Sequence, residues 1–172
     1  MSTWATTDTP AGPFTVIVED DVVLASGWTT DIDRLLALLT DDVRPASVIA
    51  ATGPSAVTEA VAAYCDGDLG APQRVAVRQR SGPFIADAWA ALRRTAPGEV
   101  ITYTQLAERA GRPAAVRAAA SACARNTSAL FVPCHRVVRR DHGLGGFAYG
   151  LGVKRWLLDH ERVAATQRTL GV

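Results

Sequence analysis

A stretch rich in glycine, proline and arginine, residues 67–82, divides the chain into two parts whose sequence patterns differ. Before it, short β-branched runs alternate with amphipathic segments, whereas after it most segments carry apolar residues at helical spacing. A chain of 172 residues is long enough for one ordinary domain or two small ones. The linker therefore predicts two domains, an α/β domain at residues 1–80 and a mostly helical domain at residues 81–172.

The first part has the signals of a small sheet with helices. Two β-branched runs, residues 14–18 and 22–24, flank a turn-like acidic sequence and predict a strand pair. Apolar residues at helical spacing predict helices at residues 31–39, with Asp31 as the N-cap, and at residues 57–64. This combination indicates an α/β fold.

The second part is predicted to contain four helices, at residues 84–94, 102–110, 114–125 and 153–163. Thr102 is expected to cap the second of them and Pro113 to begin the third. These two helices are short and are joined by a turn that contains Gly111, which is typical of a helix-turn-helix. An apolar run at residues 130–132 predicts a strand, and the tail after residue 163 is expected to fray.

Composition and charge narrow the class of protein. No apolar run approaches the roughly 20 residues of a membrane helix, and the N-terminus lacks a secretory signal, so the cytoplasm is the expected location. Residues 1–80 carry five basic and eleven acidic side chains, a balance of −6, whereas residues 81–172 carry thirteen and six, a balance of +7. The basic part is expected to meet a polyanion, although a solvated basic face would give the same count.

Three cysteines, Cys65, Cys123 and Cys134, are scattered along the chain. They have neither the paired spacing of a zinc site nor that of a disulfide framework, so we expect a reducing compartment, no metal and no cofactor. The function of each cysteine must therefore be inferred from the residues around it.

The sequence Pro133-Cys134-His135-Arg136 carries the strongest chemical signal. A thiol becomes a good nucleophile once it loses its proton, and a histidine can accept that proton if a third group fixes its ring. Glu161, at the far end of the last predicted helix, is available as the third group. Taken alone, a Cys-His pair is more often structural.

Motifs on both sides of this sequence complete a wider pattern. They lie at residues 84–89, 97–99, 102–107, 111–118, 130–138, 145–146 and 154–161. Together they resemble the O6-alkylguanine-DNA alkyltransferase family, strongly over residues 82–162 and more weakly over residues 10–72.

The resemblance implies a fold and a reaction. The first domain would be a ribonuclease-H-like small sheet, and the second would contain a winged-helix-like helix-turn-helix that enters the minor groove. The substrate would be double-stranded DNA containing O6-alkylguanine, with the damaged nucleotide flipped out of the stack. Cys134 would take the alkyl group irreversibly, so that one monomer repairs one lesion; clustering of molecules on DNA stays open.

The resemblance also assigns roles to individual residues. His135 and Glu161 would generate the thiolate through a water, Tyr103 would crowd the flipped nucleotide's phosphate and protonate the departing base, and Asn126 would be a hinge. Arg117 would fill the vacated space in the stack. The remaining implied contacts are Ala118 and Arg125 to DNA, and Pro133, Val137, Phe147, Ala148 and Tyr149 to the substrate, with the carbonyls of Cys134 and Val137 accepting from the guanine amino group.

The pocket loop departs from the family pattern. Many relatives have Gly-Tyr-Ser-Gly-Gly where this chain has Gly146-Phe147-Ala148-Tyr149-Gly150. Phe147 keeps the ring and loses the hydroxyl, and Tyr149 places a phenol where a glycine is usual. A narrower pocket that prefers small adducts is the hypothesis that follows.

Three other functions fit parts of the pattern. A non-catalytic binder of alkylated DNA would lack the cysteine, so Cys134 argues against it. A helix-turn-helix regulator would need base-reading side chains, which the alanine-rich third helix hardly offers. A cysteine hydrolase built on Cys134, His135 and Glu161 would turn over and would need no DNA-binding helix.

Overall fold

The computed structural model describes residues 1–171, which form two compact units. The N-terminal unit contains Met1–Arg80 together with Thr127–Phe131, and the C-terminal unit contains the rest of the described chain. The first holds a mixed sheet and the second is mainly helical.

Five strands form the sheet of the N-terminal unit, in the order β4-β1-β2-β3-β5. Strands β1 (Ser2–Thr9), β2 (Gly12–Glu19) and β3 (Val22–Gly27) form an antiparallel meander. The short strands β4 (Ile49–Ala50) and β5 (Ala76–Val77) pair in parallel with β1 and β3. The predicted strand pair is therefore the centre of a larger sheet.

Two helices accompany this sheet. Helix α1 (Ile32–Leu36) begins after Asp31, whose side chain accepts a hydrogen bond from the Arg34 backbone N–H as expected of an N-cap, but it is shorter than predicted. Helix α2 (Ala56–Cys65) begins with a capping box between Ser55 and Thr58.

Residues 127–131 pack against β3 although they follow the helical part of the sequence. The Ser26 backbone N–H donates to the Thr127 carbonyl at 2.9 Å, and the Ser26 hydroxyl donates to the Ala129 carbonyl at 2.8 Å. The strand predicted at residues 130–132 is wrong. Leu130 has a φ of +75°, and this left-handed conformation interrupts the extended backbone that a strand needs.

The C-terminal unit contains α3 (Pro83–Arg93), β6 (Ile101–Thr102), α4 (Tyr103–Arg109), α5 (Val116–Ala124), β7 (Val137–Val138) and α6 (Leu151–Thr169). Strands β6 and β7 pair in parallel. Helices α3 and α5 pack together, and the Trp89 indole N–H donates to the Ala122 carbonyl at 2.8 Å.

The starts of α4 and α5 test two expectations from the sequence. Thr102 caps α4 in a capping box with Gln105, as predicted. Helix α5 starts at Val116 rather than at Pro113, because residues 112–115 form a separate turn in which Ala115 N–H donates to the Arg112 carbonyl.

The expected fraying after residue 163 is also wrong, since α6 continues to Thr169, and four of the added residues, Ala164, Ala165, Gln167 and Arg168, have good helix propensity. None of the helices in residues 1–171 has the length and apolar character required to span a membrane.

Candidate active site

Cys134 lies in a 3₁₀ turn, Cys134–Arg136, between Pro133 and β7. Its side chain is buried, and its Sγ accepts a hydrogen bond of 3.2 Å from Asn126 Nδ2. The same amide group donates to the Val132 carbonyl at 2.8 Å. Asn126 lies just beyond the end of α5, so it connects the second helix of the helix-turn-helix to the thiol.

Burial raises the pKa of the Cys134 thiol, and the Asn126 hydrogen bond and the nearby Lys154 ammonium only partly offset this. The resting thiol is therefore protonated at neutral pH. A reaction at Cys134 consequently requires a nearby group that accepts its proton.

His135, the residue that follows Cys134, forms a buried pair with Glu161. His135 Nε2 and Glu161 Oε1 are 2.7 Å apart, and each side chain is 1% exposed. Burial would raise the pKa of Glu161, but its interactions with His135 and Arg136 outweigh this effect and hold the pKa well below its usual range. Glu161 is thus a carboxylate.

Burial lowers the pKa of His135, and the opposing influence of Glu161 does not reverse this. The imidazole is therefore neutral, with its Nε2–H donating to the Glu161 carboxylate. The Nδ1 atom is then an acceptor. It is buried, and no other group within residues 1–171 forms a hydrogen bond with it.

Arg136 binds both oxygens of the Glu161 carboxylate. Its Nε donates to Oε2 at 2.9 Å and its Nη2 to Oε1 at 3.0 Å, which is the bidentate geometry of a strong ion pair. Its Nη1 donates to the carbonyl and hydroxyl of Thr95, at 2.9 and 3.1 Å. Arg136 therefore ties α6 to the end of α3, and Thr95 is a supporting residue that the sequence analysis missed.

Lys154 is a second supporting residue that was missed as an individual site residue. Its side chain is buried, and its Nζ donates to the Val137 carbonyl at 2.7 Å and to the Gly146 carbonyl at 3.3 Å. Burial lowers the pKa of this ammonium. The available signal was its place, with Leu157 and Glu161, on the buried face of α6, where charged residues are rare.

The pocket loop brings together the aromatic residues that depart from the family pattern. The rings of Phe147 and Tyr149 meet edge to face, with centroids 5.8 Å apart at an angle of 74°. Both side chains are half-buried. Ala148 lies exposed between them. Tyr149 thus folds towards Phe147.

Tyr103 is the first residue of α4 and lies against the same loop. A Cβ added at Gly145, where φ is +71°, would come within 2.9 Å of the Tyr103 hydroxyl. Only glycine fits this close approach without strain. Burial raises the pKa of Tyr103, so its phenol is protonated.

The expected DNA-contacting residues lie on or next to α5. Arg117 and Arg125 are exposed, and Ala118 is half-buried. Ala118 and Arg125 also line an open cavity of about 690 Å³ together with Phe84 and Arg112. The structure thus brings Cys134 to Asn126 and His135 to Glu161, and it leaves Arg117 on the surface.

Comparison with known proteins identifies related chains. Residues 83–163 match the family model described as 6-O-methylguanine DNA methyltransferase, DNA binding domain. The chain is 36% identical over 156 residues to the methylated-DNA–protein-cysteine methyltransferase of Salmonella typhimurium, which covers 89% of this chain and 91% of that protein.

Solved structures agree with this relationship. The Mycobacterium tuberculosis O6-methylguanine methyltransferase matches over 100% of both chains, with a TM-score of 0.78 and 28% identity. The M. tuberculosis OGT in complex with DNA matches over 94% of each chain, with a TM-score of 0.78 and 27% identity. The chain therefore belongs to the methylated-DNA–protein-cysteine methyltransferase family, the O6-alkylguanine-DNA alkyltransferases.

Proposed function

We propose that Cys134 is the cysteine that accepts the alkyl group when this methyltransferase repairs O6-alkylguanine in DNA. One observation carries the proposal. The Cys134 thiol accepts a hydrogen bond from Asn126, and the neighbouring His135 has an open Nδ1 acceptor while Glu161 fixes its other nitrogen. These features support the proposal, because a thiol nucleophile needs a base that a third group orients.

His135 accepts the proton of Cys134, through one bridging water, at Nδ1. Glu161 stays ionised and stabilises the imidazolium that forms, and Arg136 holds the carboxylate in place. Asn126 stabilises the thiolate because its amide N–H already points at Sγ. In this proposal His135, Glu161 and Asn126 together offset the effect of burial, which raises the pKa of the Cys134 thiol.

The thiolate attacks the alkyl carbon from the side opposite O6. A carbon–sulfur bond forms, and the carbon–oxygen bond breaks with its electron pair going to the guanine. Tyr103 gives its phenolic proton to the guanine ring, and the proton held by His135 restores the phenol. The thioether has no good leaving group, so the protein is consumed after one repair.

The pocket for the flipped base is formed by Pro133, the carbonyls of Cys134 and Val137, and the loop of Phe147, Ala148 and Tyr149. The Cys134 carbonyl accepts from the Val137 backbone N–H, and the Val137 carbonyl accepts from Lys154. Each carbonyl oxygen has a second lone pair that can accept from the guanine amino group. Lys154 fixes the position of this acceptor.

The helix-turn-helix of α4 and α5 supplies the DNA contacts. Arg117 is exposed on α5, where its planar charged group can stack and hydrogen-bond in the space left by the flipped base. The small side chain of Ala118 permits close approach to the minor groove, and Arg125 contacts phosphate at the end of the helix. The winged-helix-like character of this unit is part of the same proposal.

Four finer expectations from the sequence stay predictions. They are the ribonuclease-H-like character of the N-terminal sheet, the domain boundary at residue 80, the monomeric state with clustering on DNA left open, and the cytoplasmic location. The N-terminal domain has an architectural role in this proposal.

The test is a mass measurement on wild type and on Cys134→Ser after incubation with a duplex containing O6-methylguanine. Wild type is expected to gain one methyl group, whereas the serine variant gains none, because its hydroxyl stays protonated. Cys65→Ser is the matched control and should react like wild type. Methyl transfer that survives in Cys134→Ser would overturn the proposal.

A further inference from the structure

The short parallel strands β6 and β7 are followed by a tyrosine and an arginine, Tyr103 and Arg139. Ile101 pairs with Val137 and Thr102 with Val138, and the residues that follow this pair are Tyr103, which begins α4, and Arg139. Neighbouring parallel strands lie about 4.8 Å apart. Tyr103 and Arg139 are therefore neighbours at this end of the pair.

The loop after β7 holds Arg139 in place. The Arg139 backbone N–H donates to the Gly143 carbonyl at 2.9 Å, and the Arg139 carbonyl accepts from the His142 N–H at 2.9 Å. Two residues later, Gly145 passes directly against the Tyr103 hydroxyl. The hydrogen bonds of this turn thus hold the Cα atom of Arg139 close to Tyr103.

The charge of Arg139 is available to a ligand. Arg139 is exposed, and none of the ion pairs found within residues 1–171 involves its guanidinium. Asp141, in the same turn, instead accepts from the Gly143 N–H at 2.9 Å. Arg139 also lowers the pKa of Tyr103 against the larger effect of burial, as expected of a cation near the phenol.

We propose that Arg139 is a positioning residue that binds the phosphate of the flipped nucleotide next to Tyr103. The inference rests on the proposed function and on the expectation, implied by the family resemblance, that Tyr103 lies against that phosphate. A guanidinium can donate two parallel hydrogen bonds to phosphate oxygens, and its backbone is already held by the turn. Arg139 would thereby keep the nucleotide extrahelical while Cys134 reacts.

The first test compares reaction rates with two substrates. Arg139→Ala is expected to lower the second-order rate with a methylated oligonucleotide by about 10- to 150-fold, the range for a lost charged hydrogen bond. The rate with free O6-benzylguanine, which has no phosphate, should stay within about twofold of wild type, since a charge-assisted contact to phosphate is all that is removed.

Arg140→Ala is the matched control, because Arg140 has the same charge and exposure one position later in the same turn. It should change the oligonucleotide rate far less than Arg139→Ala. Arg139→Lys should recover part of the rate, since lysine keeps the charge without the paired donors.

The second test neutralises the phosphate instead of the arginine. An oligonucleotide with a methylphosphonate at the phosphate of the lesion nucleotide should slow wild type about as much as Arg139→Ala does, and should slow Arg139→Ala hardly further. Additive losses, equal losses in Arg139→Ala and Arg140→Ala, or an equal loss with free base would each overturn the inference. Wild type that fails to alkylate Cys134 would instead overturn the proposed function.

Discussion

Replacing Glu161 with glutamine changes the charge at the centre of the buried network while keeping its shape. The carboxylate is 1% exposed and accepts from His135 at 2.7 Å and from Arg136 at 2.9 and 3.0 Å. Glutamine can occupy the same volume, but it cannot neutralise the Arg136 guanidinium, which is also 1% exposed. The variant therefore leaves one buried cation without its counter-charge.

Removing one partner of a buried ion pair typically costs about 3–5 kcal/mol. For a protein of this size that corresponds to a fall in Tm of about 6–20 °C. The lowered pKa of Glu161 also fixes the pH dependence: its stabilisation is present above the ordinary carboxyl pKa and is lost as the pH falls through the lower folded-state pKa. The stability difference between wild type and Glu161→Gln should therefore narrow in acid.

Thermal unfolding at pH 7 and at several acidic pH values measures both effects. Asp159→Asn is the control, because Asp159 is on the same helix and pairs with Arg162 at 3.4 Å on the exposed surface. This control should leave the Tm nearly unchanged. Equal Tm values for Glu161→Gln and Asp159→Asn would show that the buried carboxylate does not stabilise the fold as described. A Tm difference between wild type and Glu161→Gln that does not narrow in acid would show the same.

Three further outcomes are expected. Tyr149→Gly should raise the rate with O6-benzylguanine relative to that with a methylated oligonucleotide by about 2- to 10-fold, because the ring that packs on Phe147 narrows the pocket; no relative gain would mean that the side chain does not restrict it. Arg117→Ala should slow repair of duplex DNA by about tenfold or more while sparing free base, since only the duplex has a stack to refill; equal losses would indicate a structural role. Asp21→Gly should raise the free energy of unfolding by about 1 kcal/mol in denaturant titrations, because Asp20 and Asp21 have φ values of +51° and +62°; an unchanged stability would show that the turn is not strained.

Local signals were sufficient for the helix-turn-helix. Thr102 and Gln105 form their capping box within four residues, so the start of α4 can be predicted from neighbouring letters alone. Strand β1 was not predicted, because its polar sequence, Ser2–Thr9, becomes a strand through pairing with β2. Propensity is a weak guide where pairing decides the structure.

The catalytic motif of the site could be predicted from the sequence, whereas the residues that hold it in place could not. The stretch around Cys134 pointed to a nucleophile and a base, and Glu161 was available because it ends a recognisable helix motif. The roles of Thr95 and Lys154 depend on distances between segments far apart in the sequence. Leu130 similarly gives no local sign of its left-handed backbone, which tertiary contacts impose.

In the proposed reaction Cys134 takes one alkyl group and takes it once. The most direct test is a titration of wild-type protein with excess duplex containing O6-methylguanine, followed by peptide mass mapping. Repair is expected to stop at one lesion per protein molecule, with the methyl group on the peptide containing Cys134. Continued turnover, or a methyl group mapped to Cys65 or Cys123, would contradict it.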